Sequence, residues 1–267
     1  MTTTPEIRRA AEVISAASNL VVVGHINPDG DALGSAIGLA LSARDAGREA
    51  VASFGGRVEV EGTYGFLDLE PMVPAAAVPD HPDVLVVVDV AARDRLGELA
   101  GLIDRAGTVV VIDHHVTNDG FGDVEVIDPA AGATAQLVYH LIMELGWPIG
   151  VPAGTALLAG IVTDTGRFQY SSTDPDILRV AADLVEIGVR PDVIGRHVYE
   201  STPYGYLLVS AAVLGRSHLE AGAGLVWAVA YDADLAEAGV GWEDCDQLID
   251  DLRIAQERLR ILVLRRH

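Results

Sequence analysis

The chain has 267 residues, 50% hydrophobic and 21% charged, with a formal net charge of −21 in which all 18 basic residues are arginine. That composition is globular and excludes a disordered chain, and a surface this acidic excludes a broad groove for duplex nucleic acid or an anionic membrane. The single cysteine, Cys245, excludes an internal disulfide framework and a thiolate cluster for zinc.

The N-terminal stretch is interrupted by Glu12, Ser15 and Asn19, so it lacks the continuous apolar segment of a signal peptide, and a cytoplasmic protein is expected. Residues 19–24 (NLVVVG) read as a buried strand, followed by a helix over about 32–46 and a second strand over 49–53. Residues 84–89 and 108–113 are two further apolar runs, strand-sized rather than membrane-spanning, and each closes on an aspartate. Runs that are hydrophobic on both faces suit parallel strands covered by helices on both sides, so an α/β domain with a parallel sheet is expected. From Gly132 onward the pattern is helical: 133–145, then helices opened by Pro152, Pro175 and Pro191, where proline's missing N–H costs least. A change near Ser201-Thr202-Pro203 precedes a linking helix over 206–215, a strand over 224–231 and a helix over 244–260. The expected organisation is a catalytic domain over 1–200, a linker helix over 201–216, and a partial, smaller α/β domain over 217–267.

Ligands of open α/β sheets collect outside the carboxyl ends of the strands. Those ends here carry His25, Asp89 and Asp113, with His114 and His115 directly following, and His25-Ile-Asn-Pro-Asp29-Gly-Asp31 adds two carboxylates on a turn. Taken singly, each has a structural explanation. Asp31 suits a helix N-cap, Asp29-Gly30 a turn, His25 a polar strand end, Asp89 a cap for a helix near Ala92, and Asp164 a helix-terminal turn. Together they require five segments to place an acid or imidazole at one sheet edge for unrelated reasons. A cation is the simpler source of charge balance.

His25-x-x-x-Asp29-x-Asp31, Asp89, Asp113-His114-His115 and Asp164 resemble, in order and spacing, the DHH-family phosphoesterases. Within that family the chain is similar to the bacterial oligoribonuclease and 3′-phosphoadenosine 5′-phosphate phosphatase group, which includes relatives that hydrolyse cyclic dinucleotides. The flanks 24–35, 112–118, 127–129 and 160–166 agree, and the resemblance covers residues 1 to about 200. It implies hydrolysis of phosphate esters in small nucleotides or short single-stranded RNA, with two divalent ions, manganese before magnesium. One ion is expected at His25, Asp29 and Asp89, the other at Asp31, Asp89, His114 and Asp164, with Asp89 bridging. Asp113 is expected behind a histidine, and His115 facing the phosphate; Asp89, Asp113 and His115 are thus the expected catalytic residues. A homodimer is also implied. Oxygen-rich sites with some imidazole suit manganese or magnesium better than thiophilic metals.

The sequence departs from the family in two places. It lacks the glycine-rich GGGH segment of the family's second substrate domain, so that domain is expected to be partial. Arg167 follows Thr163-Asp-Thr-Gly166 where relatives carry a small residue, and is a candidate substrate contact or a surface ion pair. Gly132-Ala-Thr134 could offer helix-start amides to a phosphate or be an ordinary cap. Arg93 and Arg95, just beyond Asp89, could neutralise a substrate anion but suit a solvated helix better, and His140 suits a structural role. A manganese-dependent inorganic pyrophosphatase is the competing enzyme, disfavoured by the absence of lysine. A truncated metal- or nucleotide-binding relative without efficient turnover is the non-enzymatic alternative.

Overall fold

The valine-rich runs become the strands of a parallel sheet. In the computed structural model, which describes residues 4–56, 62–118, 120–245, 247–256 and 260–266, these are β1 (Asn19–Gly24), β2 (Glu49–Phe54), β3 (Val84–Val88), β4 (Thr108–Asp113) and β5 (Val124–Ile127). They lie in the order β2-β1-β3-β4-β5, and every neighbouring pair is parallel. Val21, Val22, Val86, Val87, Val110 and Val111 are fully buried, as a sheet covered on both faces requires. Register decides what happens at the carboxyl edge. Val23 pairs with Val87 and Val88 with Ile112, so continuing the register sets His25, Asp89 and Asp113 level with one another.

Among the described residues six α-helices belong to the same unit, the last ending at its boundary. α1 (Pro5–Ala16) starts at Thr4, whose hydroxyl accepts from the Ile7 amide, and buries Ile7, Ala10, Ala11 and Ile14. α2 (Gly30–Asp45) is buried along most of its length, and its cap is Asp29, which accepts from the amides of Asp31 and Ala32. α3 (Thr134–Leu145), α4 (Val151–Asp164), α5 (Pro175–Glu186) and α6 (Pro191–Tyr199) follow. α2 and α4 approach closely: a Cβ on Gly34 would stand 2.3 Å from the Ala156 carbonyl oxygen. The segment carrying Arg93 and Arg95, expected as a solvated helix, forms short 3-10 turns over Arg93–Leu102 broken at Gly97, and Arg93 pairs with Asp104.

The described residues divide into two compact units between Val198 and Tyr199. The second contains α7 (Tyr204–Gly215), β6 (His218–Glu220), β7 (Leu225–Tyr231), α8 (Asp232–Ala238), α9 (Leu248–Arg253) and β8 (Arg260–Arg266). β7 is the centre of a three-stranded sheet, antiparallel to β6 and parallel to β8. Its core joins Val226, Ala228 and Ala230 to Tyr206, Val209, Val213, Leu248 and Leu252. The helix expected over 244–260 is corrected here. A 3-10 turn covers Trp242–Asp244, α9 stops at Arg253, and Arg260 already lies in β8. The run Arg260-Ile-Leu-Val-Leu264 alternates toward the core, and pairing with β7 satisfies its backbone better than an isolated helix end would. Residues 257–259 of that expected helix lie outside the described residues. No helix among the described residues is long and apolar enough to cross a membrane.

Candidate metal centre

The level strand ends bring His25, Asp89 and Asp113 to one edge. The first turn of α2 adds Asp29 and Asp31, the residues after β4 add His114 and His115, and the end of α4 adds Asp164. Three overlapping groups of donor atoms result, the atoms of each lying within 4.8 Å of one another: His25, Asp29 and Asp89; Asp31, His114 and Asp164; and Asp89, His114 and His115.

Two histidines are aimed by carbonyl groups. His25 Nδ1 lies 2.8 Å from the Ile26 oxygen, which makes Nδ1 the donor and leaves Nε2 facing Asp29 and Asp89 at 3.7 and 3.6 Å. His114 Nδ1 lies 3.2 Å from the Ala131 oxygen, and its Nε2 faces Asp164 at 3.2 Å and Asp89 at 3.8 Å. His115 is oriented differently. Its Nδ1 is 2.7 Å from Asp113 Oδ1, and the other Asp113 oxygen accepts from Asn118 Nδ2 at 2.7 Å.

Asp89 and Asp31 are the most constrained carboxylates. Asp89 has a left-handed backbone, φ 59°, a region that aspartate tolerates better than most residues. Its Oδ2 faces His25, while Oδ1 faces His114 and His115 and accepts from the Thr134 hydroxyl at 2.9 Å. Asp31 is 1% exposed and accepts from the Thr134 and Ala135 amides at 2.6 and 2.9 Å and from Ser35 Oγ at 3.3 Å. This decides two of the local alternatives. The cap of α2 is Asp29 rather than Asp31, and the α3 amides after Gly132-Ala133 serve Asp31 rather than standing open for a phosphate.

Such crowding of like charges shifts protons. Burial, then Asp89, Asp164 and Asp29, raise the Asp31 carboxyl well above its usual range. Asp164 is pushed up to about 6 by burial, and Asp89 adds to the shift. Burial works against a charge on His25, but Asp29 and Asp89 prevail and push it up to about 10. His115 is raised chiefly by its bond to Asp113. Burial opposes ionisation of Asp113, yet His115 and Asn118 hold it below the ordinary value. Crowded carboxylates whose ionised forms repel one another, beside imidazoles turned to present Nε2, form a donor set that suits hard divalent cations.

Arg167 is exposed on a turn where Gly166, Arg167 and Phe168 all have positive φ, three residues beyond Asp164 and outside the three donor groups. His140 Nε2 donates to Asp176 Oδ2 at 2.7 Å, beside Gln136, outside the three donor groups. The sequence does not mark Ser35 and Asn118 as site residues, and it offers Thr134 only as a phosphate-binding or capping residue, not as a partner of Asp89. Their partners are carboxylates, and for Thr134 and Asp89 the separation is 45 positions, beyond the reach of local pattern.

Residues 19–161 match the model of the DHH family, N-terminal domain. The bifunctional oligoribonuclease and PAP phosphatase NrnA of Thermus thermophilus is 33% identical, over 98% of this chain and 77% of its own length. An exopolyphosphatase-related protein of Bacteroides fragilis superposes with a TM-score of 0.86 at 21% identity, covering 94% of this chain and 77% of that one. RecJ of Thermus thermophilus, solved in complex with Mn2+, superposes with a TM-score of 0.52 at 13% identity, covering 98% of this chain and 46% of that one.

Proposed function

The chain belongs to the DHH family, and from that premise we propose that it is a two-metal phosphoesterase acting on small nucleotides. Its substrates on this reading are short oligoribonucleotides, 3′-phosphoadenosine 5′-phosphate or dinucleotides. The observation that carries it is the overlap of the donor groups: Asp89 and His114 each belong to two of the three. His25, Asp29 and Asp89 would hold one cation, and Asp31, Asp89, His114 and Asp164 the other. Manganese is the first choice and magnesium the second, from the mixture of carboxylate oxygen and imidazole; the Mn2+ in the RecJ structure supports that order. Bound there, the cations supply positive charge to the phosphoryl oxygens and lower the pKa of a nucleophilic water.

The protein's own groups do the rest. Asp113 keeps a proton on His115 Nδ1 and raises its pKa, so the imidazolium can donate from Nε2 to a phosphoryl or leaving oxygen. Asn118 holds Asp113 in place for that task. Arg167, exposed beyond Asp164, would meet a second phosphate or the chain of a longer substrate. Cations in the centre also explain how a chain of net charge −21 accepts an anion.

Hydrolysis of a linear adenine dinucleotide and of 3′-phosphoadenosine 5′-phosphate, with and without manganese, tests the proposal beside Asp89→Asn. Turnover should require the ion and fall about a thousandfold or more in the variant, the scale expected when charge stabilisation of several kcal/mol is lost. Phosphate release from pyrophosphate without nucleotide turnover would replace this reading with a pyrophosphatase. Bound manganese with no hydrolysis of any of these would leave a metal-binding relative.

A further inference from the structure

Thr134 is the first residue of α3 and is fully buried. A threonine there ordinarily serves its own helix, but the cap is Ala133 and no side chain caps this end. The hydroxyl instead reaches across 45 positions of sequence to Asp89 Oδ1, at 2.9 Å. The same residue's amide donates to Asp31 Oδ2 at 2.6 Å, and the next amide to Asp31 Oδ1 at 2.9 Å. One helix end therefore grips two carboxylates from different segments.

The oxygen that Thr134 holds matters. Asp89 Oδ1 is the one near His114 Nε2 and His115 Nδ1, at 3.8 and 3.7 Å, whereas Oδ2 lies 3.6 Å from His25 Nε2. A carboxylate free to rotate about its last torsion would blur that division, because terminal carboxylate torsions are broad. A donor fixed on a helix removes the freedom. We propose that Thr134 is a positioning residue that locks the Asp89 carboxylate with one oxygen toward each side of the centre, and so makes two cation positions out of one shared acid. This rests on the two-metal reading above.

The role is asymmetric, which makes it testable apart from catalysis. Loss of the hydroxyl should disturb the side built from Asp31, His114 and Asp164, which shares Oδ1, more than the side built from His25 and Asp29. Thr134→Val keeps the shape and both amides but removes the donor. Manganese binding measured by equilibrium titration, together with the electron paramagnetic resonance spectrum of the bound ions, reads the outcome. The wild type should take up two ions with a spin-coupled spectrum. Thr134→Val should keep one ion at wild-type affinity, bind the second about 10- to 100-fold more weakly, the usual effect of removing a group behind a metal ligand, and lose the coupled signal at two equivalents. Thr134→Ser should restore both. Thr134→Ala, which also lacks the donor, carries the same expectation if the valine variant does not fold.

Two coupled ions at wild-type affinity in Thr134→Val would overturn the proposal, as would a serine variant that fails like the valine one, since packing of the methyl would then be the cause. Equal manganese uptake by wild type and Asp89→Asn, or none by either, would instead remove the metal centre itself. A structural role alone would lower the melting temperature without separating the two binding steps.

Discussion

Without divalent cation, protons stand in for the missing charge, and stability should record it. Asp164 is raised from 3.8 to about 6 and Asp31 is raised as well, so the folded chain binds more protons than the unfolded chain across that range. The stability that Asp164 contributes is full below about pH 4 and is lost as pH rises through about 6, and that of Asp31 is lost in the same direction. His25 is raised from 6.5 to about 10, so its contribution is full below 6.5 and disappears as pH climbs through about 10. Melting temperatures in a chelator should therefore decline from about pH 4 to about pH 10, and manganese should reverse the trend above about pH 6. A flat or rising profile in chelator would contradict the proton positions described here. At this scale the sequence was legible for residue types and poor for partners. The DHH-like spacing marks His25, Asp29, Asp31, Asp89, His114 and Asp164, and the structure brings them together. It does not show that Asp31 is fed by amides 103 and 104 positions away, because such contacts exist only after folding.

Elements explain why the acids can stand so close. Asp31 sits on the first turn of α2, and α2 reaches α4 because Gly34 has no side chain: its Cβ would meet the Ala156 oxygen at 2.3 Å and the Gly160 nitrogen at 2.9 Å. Both are backbone atoms that cannot swing aside. Gly34→Ala should push the helices apart, cost about 1–3 kcal/mol of stability as overpacking does, and weaken manganese binding by displacing Asp31 from Asp164. Thermal melts and a manganese titration of that variant check both effects, and a variant as stable as wild type with intact binding would show that the seam is looser than it looks. The long strands were legible because burial on both faces leaves continuous valine runs, as in β1, β3 and β4. β5 was not, having four residues with alternating burial. β8 was hidden for another reason: arginines at both ends and leucines between them suit a helix as well as a strand, and only β7 decides between them.

For the whole molecule, the donor residues all fall before Val198, inside the first unit. Residues 4–198 produced alone should therefore bind manganese with the stoichiometry of the full chain. A fragment that folds, by circular dichroism, yet binds fewer ions would show that residues beyond 198 supply a donor. The net charge of −21 belongs to the same scale. It offers no general attraction for polyanions, so on the two-metal reading recognition of a phosphate would be concentrated at the donor groups and His115.

The spread of these donors along the chain also sets a timetable. His25 and Asp164 are 139 positions apart, and at the usual pace of synthesis roughly 7 to 28 s separate their emergence from the ribosome. During that interval the nascent polypeptide carries an unfinished acidic nest that no ion can occupy in its final form. The proton on His25, whose pKa Asp29 and Asp89 push up to about 10, lets the fold close on those two acids first. On the two-metal reading, loading of an ion would then be an exchange in which the finished fold releases that proton.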